Sequence, residues 1–251
     1  MKINNINNIK NYSYGFIFSN FLKKYWFWFA DPFDVKGAAM VNFFSYNKID
    51  VPGFYCKEGL TSVIDLQQDL EVIFSKMRNS FIVKQIRKGE RNGVIVKQDS
   101  NFREFKKIYN IFRKSKNLSK DNFLVFRKNG LLFSAYYNNK VIASGLFISD
   151  GENIRAWVLA SLRKVSGAKE REIIGQANRL IIWEAIQYAK NTGHKLFDLG
   201  GISPDAEDKT EVSLAEFKES FGGVRIKCYY YHKVHSKLLK FWMKLRGFKK
   251  V

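Results

Sequence analysis

The sequence predicts an α/β (α+β) fold in which helices flank a mixed, mostly antiparallel sheet. Two β runs in "LLFSAYYNNKVIASGLFI" surround Asn138-Asn139, and asparagine tolerates the positive φ of a hairpin turn. Asp150-Gly151 then turns the chain into a third run, "NIRAWVLAS". The long helical pattern "GQANRLIIWEAIQYAKNTG" precedes the short strand "HKLFDLGG", so we expect this one connection to be a parallel crossover.

The chain before the hairpin predicts a strand-rich segment followed by two helices. Residues 1–64 hold short aromatic and β-branched runs broken by turn signals such as Pro52-Gly53, with a first helix expected near 16–25. Apolar residues recur at helical spacing from Leu66 to Arg91, which predicts one continuous helix. A second helix follows, with an aromatic face formed by Phe102, Phe105, Tyr109 and Phe112.

The chain after the hairpin predicts a buried helix, a short helix and a long strand. The long helix has an apolar stripe and a C-terminal glycine, Gly193. Ser213 and Glu216 fit a capping box, which predicts that a helix begins at Leu214. Leu214, Phe217 and Phe221 are expected to face the core, and Gly222-Gly223 to reverse the chain into the strand from Val224. The stripe of the long helix consists of Ile174, Ala177, Ile181, Ala185 and Tyr188.

Composition narrows the class of partner. The 251 residues are 46% hydrophobic, which excludes general disorder, and carry a formal net charge of +20, which implies an anionic partner.

The two cysteines and the absence of a signal-peptide pattern indicate a reduced, cytoplasmic setting. Lys23 and Lys24 divide the apolar run "GFIFSNFLKKYWFWFA", so neither half reaches the length of a spanning helix. We therefore expect a soluble or peripheral protein.

Several segments resemble the FemAB-like branch of the GNAT acyltransferase superfamily. "FDLGGI" is followed about fifteen residues later by "LAEFKESFGG", and the upstream segments "VIDLQQDLEVIFSKMRNSFIVKQIRKGERNGVIV" and "AWVLASLRK" also fit the family. The similarity covers roughly residues 62–233. It implies a GNAT-like acyltransferase domain over 65–233 and a truncated second GNAT-like half over 1–64. The remaining residues, 234–251, are expected to form a separate C-terminal helix on the pattern described below.

The resemblance also implies a transfer site. Better-known members carry an aromatic-lysine pair at the site of aminoacyl transfer, and this pair corresponds to Phe217 and Lys218. Spacing alone predicts that Lys218 is a solvated lysine on a helix surface. The resemblance instead implies that Lys218 either stabilises an oxyanion or binds the phosphate or ribose of a donor. Asp198 in "FDLGG" either orients the attacking amine or caps the loop at Gly200-Gly201.

Two donors remain open, and neither is a tightly bound cofactor. Simple acetyltransferases bind the pyrophosphate of acetyl-CoA on a glycine loop at the start of the long helix, for which "EIIGQA" is the nearest match. This match makes Arg171 and Gly175 candidates for cofactor binding, although Glu172 disfavours an anion. Aminoacyl-tRNA is the other donor, in agreement with the basic charge.

Further residues are candidates for contact with the substrate, and no metal site is expected. The basic helix residues either touch an anionic substrate or form a solvated face, and a strand tyrosine either supplies a hydroxyl or only packs. Neither His194 nor His232 lies at metal-ligand spacing with a cysteine. The candidates for substrate binding are Arg87, Lys88, Arg91, Ser161 and Tyr230.

The C-terminal segment "SKLLKFWMKLRGFKKV" predicts a basic amphipathic helix. Leu238, Phe241, Trp242 and Leu245 share one face, and the chain has nine Lys or Arg residues but no acid after Glu219. This pattern is typical of a helix on an anionic membrane, where lipid-linked intermediates lie. Docking on its own domain and binding to RNA are the alternatives.

Two classes of function compete at the level of sequence. The first is an acyl- or aminoacyl-transferase acting on an amino group of a cell-envelope precursor, either a peptidoglycan peptide or an amino sugar, presented on a nucleotide or a lipid carrier. The second is a non-enzymatic RNA- or membrane-binding protein on a degenerate GNAT fold, although no RNA-binding motif of a known type is visible.

Overall fold

The computed structural model describes residues 23–77, 79–118, 123–203 and 208–245. Contacts divide the chain into two units, one made of Met1–Thr61 with Ile226–Val251 and the other of Ser62–Arg225. We refer to them as unit 1 and unit 2. The boundaries predicted from the sequence, after residues 64 and 233, remain predictions.

The described residues form nine strands and seven α-helices. The strands are β1 Lys24–Trp28, β2 Met40–Ser45, β3 Tyr55–Asp65, β4 Ile95–Asp99, β5 Leu131–Tyr137, β6 Lys140–Ser149, β7 Asn153–Ser161, β8 Leu196–Ile202 and β9 Val224–Val234. The helices are α1 Leu70–Ser75, α2 Asn79–Arg91, α3 Phe102–Ser115, α4 Phe123–Asn129, α5 Ala168–Asn191, α6 Lys209–Glu219 and α7 Lys237–Leu245.

Unit 2 contains the mixed, mostly antiparallel sheet that the sequence predicts. Its strands lie in the order β8-β7-β6-β5-β4, and the pairs from β4 to β7 are antiparallel. Asn138 and Asn139 form the predicted hairpin turn with φ of 48° and 61°. β7 and β8 are parallel and are connected through α5, so the predicted crossover is confirmed.

Helices cover both faces of this sheet because its strands are apolar on both sides. Phe147 packs in a core with residues of α1, α2, α5 and α6, whereas its neighbour Leu146 packs in a second core with residues of α3 and α4. Gly145 on β6 permits the close approach of α5, since a Cβ there would lie 2.6 Å from Cγ2 of Ile181. The sheet is therefore the middle layer of an α/β sandwich.

The prediction of one continuous helix from Leu66 to Arg91 is wrong, because two helices occupy this segment. The chain forms a turn after Asp65, then α1, and then α2 after a break near Lys76. The turn between α6 and β9 packs at this break, where a Cβ on Gly222 would lie 2.8 Å from the carbonyl oxygen of Lys76. The apolar spacing continues through the break, so the periodicity did not reveal it.

Other elements also differ from the sequence-based expectation. The sequence analysis missed β4 and α4. Of the helix expected near 16–25, residues 16–22 lie outside the described residues, and Lys24 and Tyr25 belong to β1. α6 begins at Lys209 rather than at Leu214, with the Asp208 carboxylate accepting from the Glu211 backbone N–H at 3.3 Å.

Unit 1 combines strands from both ends of the sequence. β1 pairs with β2 in parallel, and β2 pairs with β9 in antiparallel orientation. Its core is aromatic, with Phe27, Phe43 and Tyr231 buried together. None of the helices in the described part of the chain combines the length and the apolar character that crossing a bilayer needs.

Candidate active site

The candidate site lies in unit 2, where β7 and β8 separate. Their pairing covers three residue pairs and ends at Arg155 and Asp198, although β7 continues to Ser161 and β8 to Ile202. Gly200 follows with a φ of 95°. A residue with a side chain rarely adopts this conformation, so glycine is needed where β8 turns away from β7.

Lys218 of α6 reaches into this region. Its Nζ donates to the carbonyl oxygen of Gly201 at 2.5 Å, and a Cβ on Gly200 would lie 3.3 Å from the same Nζ. The side chain is half-buried. Burial lowers the pKa of Lys218 to about 8, with the positive charge of Arg155 as a further lowering cause and the Asp198 carboxylate acting in the opposite direction. Lys218 is therefore a positioned, desolvated amine rather than a fully solvated surface lysine.

Asp198 and Arg155 form a buried ion pair behind Lys218. The exposed fraction of Arg155 is 5% and that of Asp198 is 0%, and Nη1 of Arg155 donates to Oδ2 of Asp198. Oδ1 of Asp198 accepts from the backbone N–H of Gly200 at 2.7 Å. This bond is the loop cap that was one of the two roles open to Asp198, and it fixes the glycine turn on which Lys218 rests.

Phe217 faces a different part of unit 2 from Lys218. Its ring centre lies 5.5 Å from Cζ of Arg179 on α5 and 5.3 Å from the ring of Phe221. Phe221 is fully buried, as predicted, but Leu214 is 48% exposed and does not face the core.

The basic residues of α2 do not converge on Lys218 as a group. Nζ of Lys88 forms an ion pair with the Glu172 carboxylate of α5 at 2.5 Å, so each of these charges already has a partner. The Arg87 guanidinium lies 5.9 Å from the ring centre of Phe74, and Arg91 is exposed. Their contact with substrate stays a prediction.

The start of α5 differs from a glycine-loop phosphate site. The helix begins at Ala168, so Gly175 lies two turns inside it and its carbonyl oxygen accepts from Arg179 at 2.8 Å. Arg171 lies exposed in the first turns. The first intrahelical bond runs from the Arg171 N–H to the carbonyl oxygen of Gly167 at 2.9 Å, so the free N–H groups of the helix start lie at 168–170, before "EIIGQA".

The two remaining candidates for substrate binding lie in different units. Oγ of Ser161, at the end of β7, lies 3.4 Å from Nδ2 of Asn178 on α5. Tyr230 is half-buried on β9 in unit 1, with its ring centre 5.3 Å from that of Phe44. Within the described ranges, no cluster of three or more His, Cys, Asp or Glu side chains is gathered as a metal site requires.

The sequence analysis missed Arg155 and Arg179. Each had a signal: Arg155 is the charged residue inside the apolar strand "NIRAWVLAS", and Arg179 interrupts the apolar run of α5 in "QANRLIIW". A cation within a buried segment needs a partner or a ligand. For Arg155 the partner is Asp198.

The fold matches several solved structures at low sequence identity. FemX superposes with a TM-score of 0.65 at 10% identity, over 91% of this chain and 85% of FemX. The chain has the FemX fold. The resemblance predicted from "FDLGGI" and "LAEFKESFGG" is thereby confirmed at the level of the fold. No protein-family model and no curated protein matches the sequence.

Two further structures share the FemX fold with this chain. The C-terminal domain described as that of a lysylphosphatidylglycerol synthetase from Agrobacterium fabrum gives a TM-score of 0.55 at 13% identity, over 91% of this chain and 84% of that domain. The structure of L-PGS from Bacillus licheniformis gives 0.51 at 13% identity, over 84% and 73% of the two chains.

Proposed function

We propose that the protein transfers an acyl or aminoacyl group to an amino group of a cell-envelope precursor. The observation that carries this proposal is Lys218, an amine held by Gly201 at the separation of β7 and β8 with its pKa lowered to about 8. Perturbed lysines of this kind are common at functional sites. The reaction takes place in the cytoplasm, at or near the inner face of the membrane.

The reaction is an attack of an amine on an activated carbonyl. The amine nitrogen bonds to the carbonyl carbon of the donor ester or thioester, and the tetrahedral intermediate carries an oxyanion. The C–O bond of an aminoacyl-RNA, or the C–S bond of an acyl-CoA, then breaks. The proton lost by the amine is taken up by the leaving oxygen or sulfur, and the product is an amide.

Lys218 stabilises the oxyanion in this proposal. With a pKa of about 8, roughly nine-tenths of the amines carry a proton at pH 7. One N–H is directed at Gly201, which leaves the other two for substrate. Asp198 and Arg155 are positioning residues, because both are buried and act through the Gly200 turn.

The comparisons support the substrate class. One protein with this fold is named for making lysylphosphatidylglycerol, a lipid that carries an amino acid. The net charge of +20 favours a polyanionic donor. We propose aminoacyl-tRNA as the donor and acyl-CoA as the second possibility, with a peptidoglycan peptide or an amino sugar on a nucleotide or lipid carrier as the acceptor.

A transfer assay tests this function. Radiolabelled aminoacyl-RNA microhelix and acetyl-CoA serve as donors, and a nucleotide-linked muramyl peptide and glucosamine serve as acceptors. We expect label in an acceptor with one donor, and loss of transfer in Lys218→Met with the melting temperature preserved. RNA binding that depends steeply on salt, with no transfer to any acceptor, would instead support the non-enzymatic class.

A further inference from the structure

We propose that the cavity beside Phe217 binds the phosphate of an adenine nucleotide, with Arg179 as the anion-binding group. The cavity measures about 530 Å³ and is lined by residues of α2, α5 and α6, among them Phe81, Arg179 and Phe217. It adjoins the helix that carries Lys218. The identification of the nucleotide as part of the donor rests on the proposed function. The binding itself does not, since it is measurable without transfer.

Arg179 is held by aromatic rings and has no anionic partner within the described part of the chain. Its Cζ lies 5.5 Å from the ring centre of Phe81 and 5.5 Å from that of Phe217. Nη1 donates to the carbonyl oxygen of Gly175, and Nε is buried without a hydrogen-bond partner among the described residues. No carboxylate of the described chain forms an ion pair with this guanidinium, although Glu216 lines the same cavity.

The charge of Arg179 is therefore incompletely compensated. Burial lowers the pKa of its guanidinium, and the nearby positive charge of Arg163 lowers it further. Aromatic faces attract the cation, but they do not satisfy a buried N–H donor. An anion in the cavity would satisfy the guanidinium and reduce its repulsion by Arg163.

A nucleotide phosphate fits this site better than a bare anion. A guanidinium presents parallel donors that match the oxygens of phosphate. Phe81 is 53% exposed, so its ring is available to stack with a base. Adenosine and phosphate are shared by the two donors that the sequence leaves open, because CoA carries an adenosine 3′-phosphate and tRNA ends in an adenosine.

Calorimetric titration of the whole protein tests the site, with adenosine 3′,5′-bisphosphate, CoA and an unacylated RNA microhelix as probes. We expect Arg179→Met to weaken bisphosphate binding by about tenfold or more, because a charge-assisted hydrogen bond is lost. Arg113→Met is the matched control, since that guanidinium lies 5.7 Å from the ring of Tyr109 and both residues belong to α3, which does not line the cavity. If Arg179→Met also weakens binding of CoA but not of the RNA, the nucleotide at this site belongs to CoA. If it weakens binding of the RNA but not of CoA, the nucleotide belongs to RNA.

Further variants keep the test decisive. Phe81→Leu should weaken binding of the bisphosphate more than binding of inorganic pyrophosphate, since both lose the ring beside Arg179 but only the bisphosphate has a base to stack. Arg179→Lys keeps the positive charge but lacks the paired N–H donors of a guanidinium. It replaces Arg179→Met as the test variant if the methionine variant does not fold. Equal binding by wild type and Arg179 variants overturns the inference. Normal binding without any transfer would leave the site standing and remove the proposed function.

We also infer, from a separate observation, that α7 binds an anionic phospholipid surface. Leu239 and Met243 dock the helix against Ala39 and Val234 within unit 1. The face predicted from the sequence points away from this contact, with exposed fractions of 70% for Leu238, 62% for Phe241, 38% for Trp242 and 70% for Leu245. An exposed apolar face on a basic helix matches a negatively charged membrane surface.

Vesicle sedimentation tests this surface. We expect binding to phosphatidylglycerol-containing vesicles, weaker binding at high salt, and little binding to phosphatidylcholine alone. Phe241→Asp should reduce binding about tenfold or more, whereas Val165→Asp, at a residue that is 61% exposed in unit 2, should not. Equal binding by Phe241→Asp, or retention by RNA rather than by vesicles, overturns this inference.

Discussion

The lowered pKa of Lys218 makes a measurable prediction about pH. An ordinary lysine titrates near pH 10.4, but desolvation and the charge of Arg155 lower the pKa of Lys218 to about 8. The charged fraction then falls from roughly nine-tenths at pH 7 to roughly one-tenth at pH 9. If the ammonium stabilises the oxyanion, the transfer rate should fall about tenfold over the same interval.

Two assays follow this titration. Trace acetylation with acetic anhydride, measured by mass spectrometry of the peptide containing Lys218, reports the neutral amine from about pH 6 to pH 11 without any substrate. The midpoint should lie near pH 8. Transfer by Lys218→Met should be lower by about 100- to 1,000-fold, which is the usual cost of removing an oxyanion donor. Lys218→Arg stays charged and should not lose activity above pH 8.

The same shift predicts how stability depends on pH. The pKa of Lys218 is lower in the folded state than in the unfolded state, so between about pH 8 and pH 10.5 the unfolded state binds more protons. The free energy of unfolding contributed by this group therefore rises with pH in that window. Lys218→Met should lack this rise in urea titrations. A labelling midpoint near 10.4, or a pH profile unchanged in Lys218→Met, would refute the reasoning.

Three further substitutions test the surroundings of Lys218 by urea unfolding. Arg155→Met leaves Asp198 buried without its cation and should cost about 3–5 kcal/mol; a cost below about 1 kcal/mol would contradict the buried pair. Gly200→Ala forces a residue with a side chain to a φ of 95° and should lower the free energy of unfolding by about 1–3 kcal/mol. It should also shift the midpoint of Lys218 labelling, because the new Cβ would lie beside Nζ. An unchanged midpoint would show that the turn does not position Lys218. Phe221→Ala empties a fully buried position and should cost about 3–5 kcal/mol, and a surface-like cost would place that ring outside the core.

The sequence predicted those elements whose signals are local. The β5–β6 hairpin follows from two asparagines that accept positive φ, and α5 follows from an apolar stripe that ends at Gly193. The break between α1 and α2 was missed because it depends on a turn nearly 150 residues later in the sequence, at Gly222. The start of α6 was misplaced because a capping-box pattern also occurs within helices.

The site shows the same limit more sharply. Three of its features depend on residues that are far apart in sequence: the Arg155–Asp198 pair, the contact of Lys218 with Gly201, and the position of Arg179 between two rings. Helical spacing describes the direction of Lys218 from its own helix axis, but not what lies in that direction. The direction that spacing alone assigned to solvent leads to Gly200 and Gly201 of β8, beyond the point where β7 and β8 separate. The lowered pKa of Lys218 therefore depends on its burial beside β8 and on the charge of Arg155, and neither β8 nor Arg155 is near Lys218 in the sequence.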